Sequence, residues 1–176
     1  MKKMISLVFI FLVIISINAY EFYGIVCKVS DGDTITVISE NDKKIKIRFA
    51  DIDAPESSQK YGFESKNYLS RRILSKKVKI EVNTIDRYGR AVSTVYLGEE
   101  NINEQMVKEG WAWWYRNFSK KPIYGKYEAE AKLNKKGMWN SNDNIAPWEY
   151  RKFSKKTPKY NIRKYKVKKI KSWLKI

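Results

Sequence analysis

Histidine is absent from the chain, and cysteine occurs once, at Cys27. The first absence removes the side chain that most often moves protons near neutral pH, together with the commonest metal-binding imidazole. Acid-base chemistry must therefore fall to carboxylate, Tyr, Lys or Arg. The second absence excludes an intramolecular disulfide, so stability has to come from a packed core. Acids are scarce as well: Asp+Glu 19 against Lys+Arg 36, a formal net charge of +17 in 176 residues. Such a surplus asks for a polyanionic partner, either nucleic acid or an anionic membrane or cell-wall surface, and does not choose between them. The length suffices for one good core and a tail, not for two full domains.

The ends differ from the middle. Lys2 and Lys3 precede an apolar run from Met4 to Ile17, closed by the small residue Ala19. Residues 1–19 are expected to be a signal peptide cut after Ala19, making the protein secreted or associated with the cell envelope. The run is short for a membrane span, and an uncleaved anchor is the alternative. From Arg151 to Ile176 the chain carries many Lys and Arg and no acid. The expected organisation is thus a signal peptide at 1–19, a folded domain at 20–148 and a basic tail at 149–176. The tail reads either as a basic helix suited to a phosphate-rich or lipid surface, or as a disordered solubilising segment.

Within the domain, the stretch Val29–Glu56 gathers the chemistry. Ile25, Cys27 and Val29 alternate with polar or small residues, Asp31-Gly32 signals a turn, and Ile35 and Val37 resume the alternation. The pattern predicts a hairpin with aspartates at its mouth and Cys27 as core filling. Ile45, Ile47 and Phe49 then face inward, sending Lys44, Lys46 and Arg48 to the other side. Pro55 ends regular pairing, which leaves Asp53 and Glu56 around an extended bend. Carboxylates at the ends of stiff strands suit a hard divalent cation, and Ca²⁺ in particular accepts carboxylates, carbonyls and waters. Taken alone, Asp-Gly-Asp is ordinary turn chemistry and Asp-Ala-Pro-Glu a solvated loop; together they outweigh that reading.

Further on, Tyr61–Leu74 carries a broad apolar stripe and is expected to be helical. Val78, Ile80 and Val82 predict a fourth strand, Asp86–Arg90 a turn and Ala91–Leu97 a fifth strand. A short helix from Ile102 stops at Gly110, an aromatic cluster follows at 111–118, and a longer helix runs from about Tyr124 to Lys136. The fold class read from this order is α+β, mainly β: a five-stranded OB-fold barrel with about three helices and a basic C-terminal tail.

Three motifs, Val29–Thr34, Arg48–Glu56 and Asp86–Arg90, stand in an order and at separations that resemble the staphylococcal nuclease (thermonuclease) family. The likeness covers residues 23–139. Singly the motifs are weak; as an ordered set they are highly specific. The resemblance implies a secreted, calcium-dependent nuclease in which Asp33, Asp53 and the main-chain carbonyl of Ala54 hold Ca²⁺, with Asp31 close by or acting through water. Ala54 stands where the family usually has threonine, a mild departure for a carbonyl ligand. Glu56 matches the residue that orients or deprotonates the attacking water, and Arg48 and Arg90 match the two arginines on the scissile phosphate. Tyr88 matches a tyrosine near the nucleotide. For base stacking, counting from Gly110 reaches Arg116 and Phe118, whereas local pattern favours Tyr115. The segment between Glu56 and Tyr61 is short and lacks the family's lysine-rich loop, a gap the basic tail is placed to fill. The resemblance implies cleavage to 3′-phosphate products; the expected partners are DNA and RNA, single strands favoured, and the chain is expected to be a monomer. The rival readings are a non-catalytic OB-fold nucleic-acid-binding module and a cell-surface protein whose tail is primary.

Overall fold

The computed structural model describes residues 20–156. The expected signal segment at 1–19 and the tail beyond 156 lie outside the described residues. In chain order the elements are β1 Tyr20–Asp31, β2 Thr34–Ser39, β3 Lys44–Phe49, β4 Ile52–Asp53, α1 Gly62–Ile73, β5 Lys77–Ile85, β6 Ala91–Leu97 and β7 Glu100–Asn101. They continue with α2 Ile102–Lys108, β8 Trp113–Trp114, α3 Ile123–Leu133 and α4 Pro147–Lys156.

Antiparallel pairing runs β3-β2-β1-β5-β6, and a parallel contact from Ile47↔Ala91 to Phe49↔Ser93 joins β3 to β6. That last contact closes a five-stranded barrel and covers the β3 edge along Ile47–Phe49. Val26, Ile35, Val37, Ile47, Phe49, Ile80 and Val95 fill the interior, while Leu69 and Ile73 of α1 and Met106 and Val107 of α2 pack against them. Burying each such side chain stabilises the fold by roughly 1.5–3 kcal/mol, and the buried Ile47 and Phe49 fix the strand position of Arg48 between them. β4 and β8 form a separate ribbon, Ile52↔Trp114 and Asp53↔Trp113, which holds the Asp53 end of the bend against the aromatic cluster.

The barrel and the inserted α1 match the expected class. One phase assignment does not hold. Gly24 and Val26 point inward, whereas Ile25 is 51% exposed and Cys27 is exposed. The cause is a bulge: Val26 pairs with Val37 and Lys28 with Thr36, leaving Cys27 as an extra residue before Val29 returns to the core. Cys27 is therefore not core filling. The helices also exceed the expected number, because α4 crosses residue 148 and makes the first part of the compositional tail a packed helix.

Candidate active site

The β1–β2 turn forms one wall of the site. Asp33 N–H donates to Asp31 Oδ1 at 3.1 Å, the Thr34 hydroxyl donates to Asp33 Oδ1 at 3.0 Å, and Ala54 N–H donates to Asp33 Oδ2 at 2.6 Å. The last bond ties two loops that are 21 residues apart. Gly32 permits the approach: a Cβ there would lie 1.9 Å from Ser65 Oγ on α1, a distance no side chain tolerates.

Arg48 rises from β3 into the same wall. Its Nη1 donates to the carbonyls of Phe49 at 2.7 Å and Ile52 at 2.9 Å; its Nη2 donates to Asp53 Oδ1 at 2.8 Å and lies 3.2 Å from Asp33 Oδ2. Asp33 and Asp53 are both buried, and one positively charged nitrogen sits between them. Arg90 enters from the opposite side on the β5–β6 turn. Asp86 shapes that turn, accepting Tyr88 N–H at 2.9 Å, Arg90 N–H at 3.0 Å and Arg90 Nε at 2.7 Å. Burial works against the Asp86 charge, yet the hydrogen bonds from Arg90 and Tyr88 together hold its carboxyl below the ordinary value.

Asp31, Asp33, Asp53, Ala54 and Glu56 line one cleft of about 640 Å³ together with Arg48, Arg90, Tyr88, Tyr115 and Phe118. Tyr88 and Phe118 expose 70% and 74% of their surface, and the Arg87 and Arg90 guanidiniums lie 5.1 and 5.6 Å from the Tyr88 ring centroid. Tyr115 lies 4.4 Å from the Phe118 ring and has Trp148 stacked on it at 5.6 Å. Arg116 is not part of the cleft. It turns to α3, pairs with Glu128 at 3.1 Å and covers the Trp114 ring. Past β8 the chain turns, Phe118 N–H donating to the Tyr115 carbonyl at 2.9 Å, and Tyr115 and Phe118 both take the cleft side.

A residue that composition assigned to the tail completes the site. Arg151 on α4 places Nη1 2.7 Å from Glu56 Oε1 and Nη2 2.7 Å from Asp53 Oδ2. The guanidinium is held charged more firmly than usual, because the bonds from the two carboxylates outweigh the burial that opposes its charge. Nothing in the local pattern distinguishes this arginine from the lysines that follow it.

Among the described residues, no group of carboxylates stands ready-made as a metal site. The donor set nevertheless fits a hard cation. Burial, with the charge of Asp33 beside it, pushes the Asp31 carboxyl up to about 7. Burial likewise raises Asp53, and neither Arg151 nor Arg48 offsets that effect fully. The carboxylate oxygens are hard ligands of the kind calcium accepts.

Comparison with known proteins points the same way. A family model described as staphylococcal nuclease homologue matches residues 46–141. A Haemophilus influenzae protein named an uncharacterized endonuclease is 40% identical over 150 residues, covering 85% of this chain and 84% of that protein. A Shigella flexneri protein named micrococcal nuclease is 37% identical over 155 residues, covering 81% and 88% respectively. A rice protein named probable staphylococcal-like nuclease CAN3 is 41% identical over 110 residues, 29% of its own length.

Proposed function

The chain belongs to the staphylococcal nuclease family and is a phosphodiester-hydrolysing nuclease, and from that premise we propose a calcium-dependent endonuclease that cuts DNA and RNA to 3′-phosphate products. One observation carries the reading: two buried aspartates, the part-exposed Glu56 carboxylate and the arginines Arg48 and Arg90, drawn from separate stretches of the chain, face a single cleft. Asp33, Asp53 and the Ala54 carbonyl are the residues that would hold calcium, which supplies Lewis-acid polarisation of the phosphate oxygens.

The rest of the chemistry belongs to side chains of the chain itself. Glu56, with no histidine available, accepts the proton of the attacking water as the new P–O bond forms. The bond to the 5′ oxygen breaks and that oxygen takes up a proton from water, leaving a 5′-hydroxyl on one fragment and a 3′-phosphate on the other. Arg48 and Arg90 contact the phosphate oxygens, whose charge grows as phosphorus becomes five-coordinate, so these contacts strengthen along the reaction and lower the barrier. Tyr88 and Phe118 supply stacking surfaces for unstacked bases, which favours single strands and little base preference. Phosphate and stacking contacts read neither base edges nor the sugar hydroxyl, and DNA and RNA are both substrates on this account.

The site is complete within one chain, and the protein acts as a monomer. The basic, then apolar, start of the sequence supports export, and the basic residues beyond 156 support added affinity for nucleic acid or an anionic surface. End-group analysis of a labelled oligonucleotide digest tests the reading: 3′-phosphates are expected, and 5′-phosphates would contradict the assigned bond.

Lys44 and Lys46 are exposed on the face of β3 that carries Arg48, and Lys28 shares a row with Thr36 and Lys46. They extend the phosphate track away from the cleft. Replacing Lys44 and Lys46 by Gln is expected to weaken oligonucleotide binding and to flatten the plot of log K against log salt by about 0.7 for each lost single-strand contact. Filter binding in calcium-free buffer measures this slope; an unchanged slope removes the two lysines from the track.

A further inference from the structure

Helix α4 is docked over the rim of the cleft by several contacts besides its arginine. Trp148 stacks on Tyr115 at 5.6 Å, and the Tyr150 hydroxyl donates to the Ser58 carbonyl at 3.1 Å. Gln59 Nε2 also donates to the Ile145 carbonyl, just ahead of the helix. These bonds clasp the segment immediately after Glu56, and they aim Arg151 back at the carboxylates.

The guanidinium then does what a lysine ammonium cannot, bridging two different carboxylates with its two terminal nitrogens. Nη1 holds Glu56 Oε1 at 2.7 Å, Nη2 holds Asp53 Oδ2 at 2.7 Å, and Nη1 also lies 3.3 Å from Asp53 Oδ1. Arg48 already occupies Asp53 Oδ1 at 2.8 Å. Both oxygens of a buried carboxylate are thus engaged by arginines, and a cation that uses Asp53 meets their positive charge.

The two arginines are not equally free to move. Arg48 has only 12% of its side chain exposed and is anchored by the carbonyls of Phe49 and Ile52. Arg151 has 36% exposed and no carbonyl holding its guanidinium among the bonds described. Arg151 Nη2 is the group that yields.

We propose that Arg151 is a positioning residue of this nuclease, holding the Glu56 carboxylate over the cleft through Nη1 while competing with the divalent cation for Asp53 through Nη2. The inference rests on the nuclease reading given above. It makes α4, remote from Glu56 by 95 residues, part of the working site, and it predicts two effects of opposite sign when the guanidinium is removed.

Calcium titration calorimetry on the full chain without nucleic acid, paired with steady-state cleavage, separates them for Arg151→Gln and Arg151→Lys. Arg151→Gln is expected to bind calcium about five- to tenfold more tightly, the usual scale of coupling between sites, while its kcat falls and its KM stays close to that of the parent. Arg151→Lys keeps one charge for Glu56 and recovers part of kcat. An ion pair that merely pins α4 would leave calcium affinity unmoved, because Trp148 and Tyr150 still hold the helix. Unchanged or weaker calcium binding in Arg151→Gln overturns the competition, and unchanged kcat overturns the positioning. A parent chain that neither binds calcium nor cleaves defeats the nuclease reading itself, an outcome distinct from a parent that does both and a variant that matches it.

Discussion

Glu56→Gln is expected to lower kcat on a single-stranded oligonucleotide by about 10²–10⁴-fold, with the dissociation constant measured in calcium-free buffer close to that of the parent. The size of the effect follows from what the chain lacks. With no histidine to substitute, and with Asp33 and Asp53 buried and bonded to Arg48, Glu56 is a cleft carboxylate with room to take a proton, whereas Asp31 is turned back onto the Asp33 N–H of its own turn. Its side chain is 37% exposed, and its carboxylate meets Arg151 rather than the core. Glutamine keeps the shape and loses the basicity, so the loss falls on the chemical step. Substrate binding does not depend on that step, and removing one negative charge from a phosphate-binding cleft does not weaken it. Parent-like turnover in Glu56→Gln would take this residue out of the mechanism.

The second large effect is a double one. Arg48→Gln is expected to lower kcat/KM by about 10²–10³-fold, the usual loss when one preorganised donor to a developing oxyanion is removed. The same change leaves Asp33 and Asp53, both buried, without the nitrogen that sits between them. Breaking a buried pair from one side destabilises by about 3–5 kcal/mol, and at this chain length each kcal/mol lowers Tm by about 2–4 °C. Calcium that binds the folded site restores part of that loss by mass action. Arg48→Lys separates the two roles: it returns a positive charge to the aspartates but not the anchored, delocalised guanidinium that faces the phosphate, so stability recovers further than activity. Thermal unfolding with and without calcium, read beside cleavage rates, checks both. A variant as stable and as active as the parent would show that Arg48 carries neither role.

How much of this was legible in the chain depends on whether local pattern carried it. Ile45, Ile47 and Phe49 alternate without interruption, and β3 with Arg48 on its outer face follows directly. Asp31-Gly32-Asp33 marks a turn by chemistry that needs no tertiary partner, and the hairpin is there. In β1 the same counting fails, because the extra residue at Cys27 shifts the inward face to Gly24 and Val26, and a bulge leaves no mark in hydropathy. Around β8, spacing alone admitted Tyr115, Arg116 and Phe118. Only the packing of Arg116 onto Glu128 in α3 decides among them. Arg151 was hidden for a different reason. It opens a run of basic residues that composition reads as a solvated tail, and its role is created by a tertiary contact with Asp53 and Glu56 far upstream. Such contacts have no periodicity to detect.

The central claim is that one cleft joins cation-binding carboxylates to phosphate-binding arginines and hydrolyses the bond between them. Its most direct test follows cleavage of a single-stranded DNA oligonucleotide by the purified chain with calcium, after excess chelator, and after calcium is restored. The account predicts rapid cleavage, arrest and recovery in that order; undiminished cleavage in the chelator would contradict it.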